Sequence, residues 1–457
     1  KGKQQLASPS PRKTAYPVTG GELSISERSK PPIVHSLQHV LGSAGFSKGT
    51  MVEQTLPTLS QLKKAIPEKC FQKSLLRSVY YMLRDFAALA ALYIIYPSVQ
   101  ANFGLAGLFV WWNLAGFFMW CLFVIGHDCG HGSFSEYKWF NDVCGHICHA
   151  PLMVPYWPWQ KSHRLHHMYH NHLTKDMSHP WMTQEIFEDL TPFEQALLEN
   201  PLSLFIKYTF LYLFAGKLDG SHVLPTSPLF SDTKERIQCA VSTLCMLVAG
   251  VLIYVGLEGG AEGGLARIGS MYLIPLLVFN AWITMVTYLQ HHDEDTKVYA
   301  EGEWSYIKGA LETIDREYGM GIDDLSHNIT DGHVAHHLFF TQIPHYHLKD
   351  ATAAVRQLLT PTGTYKKKQS WNFLGKFTEL NYKLKYVAGQ GVLSYVDWEA
   401  IQKGASPPVC STDASPATPA APLPKVAVTC ATEPLIALEA KGRSTRKRSP
   451  ARSSSPP

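Results

Sequence analysis

The sequence has few charged residues and no C-x-x-C motif. Charged residues make up 17% of the 457 positions and the formal net charge is +4, which gives no reason to expect nucleic-acid binding. Several of the nine cysteines, such as Cys121, Cys239 and Cys245, lie inside apolar runs. This usage is typical of reduced, buried thiols and argues against a secreted protein held together by disulfides.

Charge is almost absent from four long apolar stretches. A transmembrane helix needs about 20 apolar residues, because each residue adds ~1.5 Å along the helix axis. We therefore predict an integral membrane protein with spans near residues 80–99, 104–126, 237–257 and 271–289. The second stretch is too long and too uniformly apolar to be one face of an amphipathic helix.

Basic residues are distributed unevenly among the connections between these spans. They cluster before the first span and between the second and the third. In contrast, the "YPSVQANFG" connection has no charge, and the connection after the third span has a single basic residue, Arg267. The positive-inside rule then places both termini and the long middle loop in the cytosol.

The two ends of the chain differ in composition from the middle. Residues 1–55 are rich in Ser, Pro and Lys without apolar periodicity. Residues 404–457 are rich in Ser, Pro and Ala, and they end in a basic run. We expect both segments to be disordered, on either side of a membrane domain over residues 56–400.

Three histidine clusters, "HDCGH", "HRLHH" and "HVAHH", interrupt this apolar chain. They contain His127 and His131, then His163, His166 and His167, and finally His333, His336 and His337. Positions i, i+3 and i+4 share one face of a helix, so each cluster presents its imidazoles on a common side. A single histidine is usually a structural residue, but eight with this spacing indicate metal ligands. The predicted topology brings all three clusters to the cytosolic side.

Eight imidazoles are too many for one tetrahedral zinc ion, which takes four ligands. Divided between two metals, they form nitrogen-rich sites with room for a small ligand, which suits iron that reacts with O2. Such a centre can break an unactivated C–H bond, which no side-chain acid or base can do. A metal transporter is an alternative from a different class, but it requires polar or histidine residues within the spans, and these have almost none.

The residues around the clusters carry a family resemblance. The strings "HDCGHGSFS", "WPWQKSHRLHH" and "GHVAHHLFFTQIPHYHL" resemble those of membrane-bound fatty acyl desaturases, specifically the methyl-end type, and are most similar to animal omega-3 desaturases of the nematode kind. The resemblance covers most of residues 58–395. It implies an all-α integral membrane protein of the endoplasmic reticulum, with four transmembrane helices and a cytosolic helical cap that holds a histidine-rich diiron centre.

The resemblance also implies the metal ligands. They are His127, His131, His163, His166, His167, His333, His336, His337 and, at the end of the fourth span, His291. Thr287 stands where the family often has an Asn that supports a metal-bound water. We expect the neighbouring His292 not to be a ligand, because it points about 100° away from His291 on a helix.

Residues beside the ligands are candidates for orienting them. Metal-bound imidazoles usually donate their second N–H to a carboxylate or a carbonyl. Asp128, Asp315 and Asp331 are candidates for this role or for helix capping, and His327 is a further candidate. We expect the other histidines to be ordinary polar residues. These include His146, His149, His170, His172, His345 and His347.

The implied reaction introduces a cis double bond into an unsaturated fatty acyl chain, with O2 as co-substrate. The chain is carried on coenzyme A or in a phospholipid, and apolar side chains of residues 105–126 and 271–289 are candidates for lining its path. Omega-3 activity is favoured over delta-12 (omega-6) activity, and hydroxylation on the same diiron scaffold is a further alternative.

Electrons are expected from a separate protein. The His-Pro-Gly-Gly heme motif of fused cytochrome b5 domains is absent from the sequence. The resemblance therefore implies a separate cytochrome b5, which is reduced by NADH-cytochrome b5 reductase. Basic residues such as Lys161 and Arg164 are candidates for contacting its acidic face.

Overall fold

A computed structural model describes residues 56–176, 179, 181–200 and 221–404. The segments predicted to be disordered, 1–55 and 404–457, lie outside these ranges except for Gly404, so their disorder stays a prediction.

Most of the described chain is helical. The α-helices are α1 (Leu59–Ala65), α2 (Leu75–His131), α3 (Lys138–His149), α4 (Tyr156–Met168), α5 (Gln184–Glu188), α6 (Pro192–Glu199), α7 (Thr233–Gly256), α8 (Gly264–Ile268), α9 (Ile274–His291), α10 (Tyr306–Ala310), α11 (Ile322–Leu325), α12 (His333–Phe339), α13 (Leu348–Leu359), α14 (Phe373–Lys383) and α15 (Trp398–Gln402). Short 3-10 turns cover Glu68–Phe71, Ala150–Leu152 and His345–His347, and a π-helical turn, Gly269–Leu273, joins α8 to α9.

Short strands form two small sheets after α9. The strands are β1 (Lys297–Tyr299), β2 (Asp315–Glu317), β3 (Lys367–Gln369), β4 (Val387–Ala388) and β5 (Val392–Tyr395). β5 lies between β1 and β4 in an antiparallel sheet, with Val298 opposite Leu393, and β2 pairs with β3 in parallel, with Arg316 opposite Lys368. The prediction of a helical fold is confirmed for most of the described chain, but it missed these sheets because each strand is very short.

The longest helix, α2, folds back on itself. Gly104 has φ 53° and ψ −140°, a conformation that residues with a side chain rarely adopt, and it divides the helix into two arms. Across this break, Nε1 of Trp111 donates a hydrogen bond to the carbonyl of Leu92 at 2.7 Å, and its ring packs against Tyr96. In a straight helix, residues 19 apart are separated by about 28 Å. The two arms therefore run antiparallel.

Within the described ranges, α2, α7 and the stretch Gly264–His291 are long and apolar enough to cross a membrane. The second arm of α2 packs closely against α9 at Gly116, where an added Cβ would lie 2.5 Å from Cβ of Val278. The core around this contact also includes Val334 and Leu338 of α12, so a histidine-bearing helix is anchored to the long helices. The described cysteines are unpaired and, apart from Cys245, buried.

Candidate metal centre

The three histidine clusters converge from different helices. His127 and His131 lie at the carboxyl end of α2, and His291 is the last residue of α9. The two H-x-x-H-H clusters lie on α4 and α12. Because these helices share one packed region, their histidines are brought together by the fold rather than by local sequence.

A first group of imidazoles combines all three clusters. It consists of His127, His131, His163, His167 and His336, and one ring nitrogen of each lies within 4.8 Å of the others. The Nε2 atoms of His127 and His131 are 3.2 Å apart, and those of His163 and His167 are 3.1 Å apart. Each i, i+4 pair therefore directs its Nε2 atoms to the same place.

A second group lies beside the first. It consists of His166, His170, His291 and His337, again with one ring nitrogen of each within 4.8 Å of the others. His333 borders this group, since its Nε2 lies 3.2 Å from Nε2 of His291, while its Nδ1 donates to the carbonyl of Ile329 at 2.8 Å.

Each H-x-x-H-H cluster is divided between the two groups. On α4, His163 and His167 enter the first group and His166 the second, and on α12, His336 enters the first and His337 the second. Adjacent residues of a helix point about 100° apart, which is why neighbouring histidines belong to different groups. The expectation that each cluster presents its imidazoles on one side was therefore too simple.

The chemistry of these side chains fits metal ions. The Nε2 atoms of His166, His336 and His337 are buried and have no hydrogen-bond partner among the described residues. Burial, reinforced by the neighbouring imidazoles, holds the pKa of His163 and of His167 well below its usual value. Neutral imidazole is the form that binds metals, and crowded buried lone pairs are unfavourable without a cation. The residues present therefore suit two metal ions with nitrogen ligands.

Two residues that were not among the predicted ligands or orienting residues belong to the second group or contact it. Asp176 accepts a hydrogen bond from Nδ1 of His166 at 2.8 Å. Burial alone would raise the pKa of Asp176, but the interactions with His166 and other donors lower it. His170 donates from Nδ1 to the carbonyl of Gly309 at 2.6 Å, and its Nε2 lies 2.7 Å from Nδ1 of His291. His170, which we expected to be an ordinary polar residue, is therefore a further candidate ligand.

Asp128 is held mainly by His345, which is not one of the predicted metal ligands. Its Oδ2 accepts hydrogen bonds from the backbone N–H of His345 at 3.0 Å and from Nδ1 of His345 at 2.9 Å. Its Oδ1 is 3.7 Å from Nδ1 of His127, which is longer than a hydrogen bond. His345, which we expected to be an ordinary polar residue, therefore holds the carboxylate beside the first group.

Asp315 and Asp331 make no hydrogen bond to an imidazole of either group in the described part of the chain. Asp315 accepts from the backbone N–H of Val334 at 2.8 Å and from the hydroxyl of Tyr365 at 2.6 Å, so it caps α12. Burial raises the pKa of Asp315 to about 7 and that of Asp331 to about 6. For Asp315, helix capping is thus the role that the geometry supports.

His327 lies further from the imidazole groups. Its Nε2 is 2.7 Å from Oδ2 of Asp85, and its ring packs against that of His345 with centroids 4.5 Å apart. Burial lowers the pKa of His327 to about 4. Asp85 is fully buried and pairs with Arg84 at 2.7 Å. A series of buried polar side chains therefore links Asp128, through His345 and His327, to the first arm of α2.

His292 lies outside both groups, as expected. Its ring stacks on Tyr288 with centroids 4.3 Å apart, and its Nδ1 donates to the carbonyl of Tyr288 at 3.0 Å. Tyr288 thus engages one ring face and one nitrogen of His292, and neither imidazole group includes this residue.

An apolar cavity adjoins the imidazoles between α2 and α9. It is lined by Trp120, Phe123, Val124, Trp159, Ile283, Thr284, Val286, Thr287 and Ile329, together with His127, His163, His166, His291 and His333. Trp120 precedes His127 by two helical turns, which is about 10 Å. Apart from the histidines, the wall residues contributed by α2 and α9 fall within the two segments expected to line an acyl path.

Comparison with known proteins identifies the family. The sequence pattern of the family described as "Fatty acid desaturase" matches residues 103–369. The chain is 42% identical over 346 residues to the Delta(12) fatty acid desaturase fat-2 of Caenorhabditis elegans, covering 74% of this chain and 91% of that protein. The chain belongs to the fatty acid desaturase family.

Two omega-3 relatives support the same conclusion. This desaturase is 41% identical over 377 residues to the omega-3 fatty acid desaturase fat-1 of C. elegans, covering 81% of this chain and 92% of the relative. It is 40% identical over 310 residues to an acyl-lipid omega-3 desaturase (cytochrome b5) of the endoplasmic reticulum of Arabidopsis thaliana. This alignment covers 66% of this chain and 76% of that protein. The predicted family and the prediction of an enzyme are confirmed.

Of the residues that were missed, one carried a signal in the sequence. His170 follows His166 by four positions and so continues the helical spacing of the cluster, although α4 ends at Met168. Asp176 and His345 had no comparable signal, because Asp176 reaches His166 through a turn and His345 meets Asp128 from a distant part of the chain.

Proposed function

We propose that this desaturase uses O2 and two non-heme iron ions to introduce a cis double bond near the methyl end of an unsaturated fatty acyl chain. The observation that carries the proposal is the pair of buried imidazole groups beside an apolar cavity. Apolar walls suit a methylene chain, and the histidines would hold the metals next to it.

We assign one iron to each imidazole group. The first group provides His127, His131, His163, His167 and His336, and the second provides His166, His170, His291 and His337, with His333 at its border. Iron is preferred to zinc because nitrogen-rich sites with more than four available donors suit a metal that reacts with O2. When bound, the metals supply the oxidising power needed to remove hydrogen from an unactivated methylene group.

The protein's own residues position the reacting groups and exclude water. Asp176 holds the Nδ1–H of His166 and so leaves Nε2 as the metal-binding atom. Asp315 caps α12 and thereby fixes the helix that carries the third cluster. The aromatic walls at Trp120 and Phe123 hold the acyl chain against the metals, and Thr287 places a polar residue on the cavity wall one turn before His291.

We propose a separate cytochrome b5, reduced by NADH-cytochrome b5 reductase, as the electron donor. The Arabidopsis relative carries cytochrome b5 in its name. Lys138, Lys161 and Arg164 line a polar surface pocket that also includes Gly130, the neighbour of His131. Lys161 is paired with Glu235. Basic residues at such a rim accelerate the encounter with an acidic partner more than they raise affinity.

We further propose four membrane spans in the endoplasmic reticulum, with both termini and the metal centre in the cytosol. The spans are the two arms of α2, helix α7, and Gly264–His291. Helix α7 exposes Leu244, Leu247, Val251 and Val255, an apolar surface that a bilayer would cover. The Arabidopsis relative is named for the endoplasmic reticulum. The substrate is an acyl chain bound to coenzyme A or to a phospholipid.

Omega-3 activity is our first choice and delta-12 activity the second. The omega-3 relative fat-1 aligns over a longer part of this chain than the delta-12 relative fat-2, but their identities of 41% and 42% are almost equal. The two double-bond positions differ by three carbons, or about 4 Å of extended acyl chain. Misplacing a reacting group by ~1 Å already reduces the rate of a catalysed reaction. The choice therefore depends on how the cavity holds the chain and not on the histidines.

Fatty acid profiling of yeast tests this proposal. Yeast that expresses the desaturase and is fed linoleate should make alpha-linolenate, and when fed arachidonate it should make eicosapentaenoate. A host that has only oleate should make little linoleate. The His337→Ala variant, which lacks one proposed ligand, serves as the inactive control.

Other product profiles would assign a different activity or contradict the proposal. Abundant linoleate from oleate without any omega-3 product would assign delta-12 activity. Hydroxylated acyl chains would assign the hydroxylase alternative. Products that are identical in the host with wild-type protein and with His337→Ala would contradict the proposed reaction.

A further inference from the structure

A third set of potential metal ligands lies away from both imidazole groups. Cys70 belongs to the 3-10 turn Glu68–Phe71, which precedes α2, while His347 and Asp350 lie at the start of α13. One potential ligand atom of each residue, a thiol sulfur, a ring nitrogen and a carboxylate oxygen, lies within 4.8 Å of the other two. The chain thus brings three different donor types together from two distant segments.

The three donor atoms have few competing interactions. Cys70 is fully buried and packs in the main core beside Leu62. In the part of the chain that the structure describes, neither its thiol nor the ring of His347 makes a hydrogen bond. Asp350 pairs with Lys69 at 2.7 Å, but both side chains are about half exposed, and an ion pair in that setting contributes little.

A sulfur, a nitrogen and an oxygen ligand suit zinc. Structural and catalytic zinc sites use Cys, His and Asp at about 2.0–2.3 Å in tetrahedral geometry, which separates neighbouring ligand atoms by about 3.5 Å. Closing the present cluster to that spacing requires movements of about 1 Å by the side chains of the partly buried His347 and the exposed Asp350. A Cys thiolate and the Asp350 carboxylate together balance the charge of Zn²⁺, and the thiol proton passes to solvent.

We propose that Cys70, His347 and Asp350 form a zinc site that fastens the segment before α2 to the start of α13. The three protein ligands leave one tetrahedral position for water. The 3-10 turn that carries His347 also carries His345, the partner of Asp128. Zinc at this position therefore stabilises the cap next to the iron ligands without being part of the reaction.

Metal analysis of the purified full-length protein tests the site. After loading with iron and with zinc and then removing weakly bound metal, wild-type protein should retain one zinc per chain in addition to iron. His347→Gln and Asp350→Asn should each lose that zinc and keep the iron and the desaturase activity. Asp324→Asn is the matched control, because Asp324 is also an exposed carboxylate, paired with Lys349 at 2.8 Å, and it should keep the zinc.

Cobalt in place of zinc gives a readout that is specific for the thiolate. Wild-type protein should show a thiolate-to-cobalt charge-transfer band, which Cys70→Ser loses and Cys245→Ser retains; imidazole groups alone cannot produce it. If Cys70→Ser fails to fold, His347→Gln and Asp350→Asn decide the question. Zinc retained in both His347→Gln and Asp350→Asn, or wild-type protein that binds no zinc beyond its iron sites, would overturn the proposal.

Discussion

Each imidazole of the metal centre has two ring nitrogens, and the contact made by one determines what the other can do. The Nδ1–H of His166 donates to Asp176, and the Nδ1–H of His333 donates to the carbonyl of Ile329. In both rings the Nε2 atom is left with its lone pair, which is the form that binds a metal. These hydrogen bonds therefore select which ring atoms of the proposed ligands are available to a metal.

Replacing a proposed ligand should abolish the reaction and remove iron. His167→Ala takes one donor from the first group and His337→Ala takes one from the second. Because each iron depends on shared donors, we expect bound iron to fall by half or more and the desaturated product to disappear. The measurements are iron per chain by elemental analysis and fatty acid profiles of the expressing host.

His292→Ala is the matched control for these variants. His292 is also a buried histidine, at the end of α9, but its ring stacks on Tyr288 and it lies in neither imidazole group. This variant should keep its iron and most of its activity. Active His167→Ala protein with full iron, or active enzyme that contains zinc alone, would contradict the diiron assignment.

At the scale of secondary structure, the sequence predicted features that depend on neighbouring residues. The histidine spacing predicted helical clusters, and α4 and α12 carry them. Features that depend on distant contacts were missed. β5 forms only by pairing with β1 and β4, and His345 meets Asp128 across more than two hundred positions. A single sequence carries no pattern for such pairs.

The contact between α2 and α9 should be sensitive to a single methyl group. Replacing glycine by alanine in a helix usually stabilises it by up to ~1 kcal/mol. At Gly116, however, the new Cβ would lie 2.5 Å from Cβ of Val278 and 2.7 Å from the carbonyl oxygen of Pro275, and overpacking costs ~1–3 kcal/mol. Gly116→Ala should therefore lower the thermal unfolding temperature of the purified protein.

Gly250→Ala in α7 is the control for this contact. There the added Cβ would meet only Cε of Met153 at 3.7 Å, an ordinary van der Waals distance, so the unfolding temperature should stay the same or rise. If both variants unfold at the same temperature, the close packing of α2 on α9 does not limit stability.

For the whole molecule, membrane orientation determines whether one metal centre can exist at all. The first two clusters are separated from the third by α7 and by Gly264–His291. Two spans in that interval return the chain to the side on which it started, and an odd number would leave the third cluster across the bilayer. In the proposed orientation, the hairpin of α2 at Gly104 likewise places the start of that helix and its histidine-bearing end on the same side of the bilayer.

Protease accessibility in sealed microsomes tests this orientation. Tags at either terminus, or inserted at the exposed Thr226 between the second and third spans, should be cleaved by added protease, because the positive-inside rule places these regions in the cytosol. A tag inserted near Glu262, in the connection between α7 and α8, should be cleaved only after detergent opens the membrane. Protection of the Thr226 tag, with the termini cleaved, would place the first two clusters and the third on opposite sides and so exclude a shared metal centre.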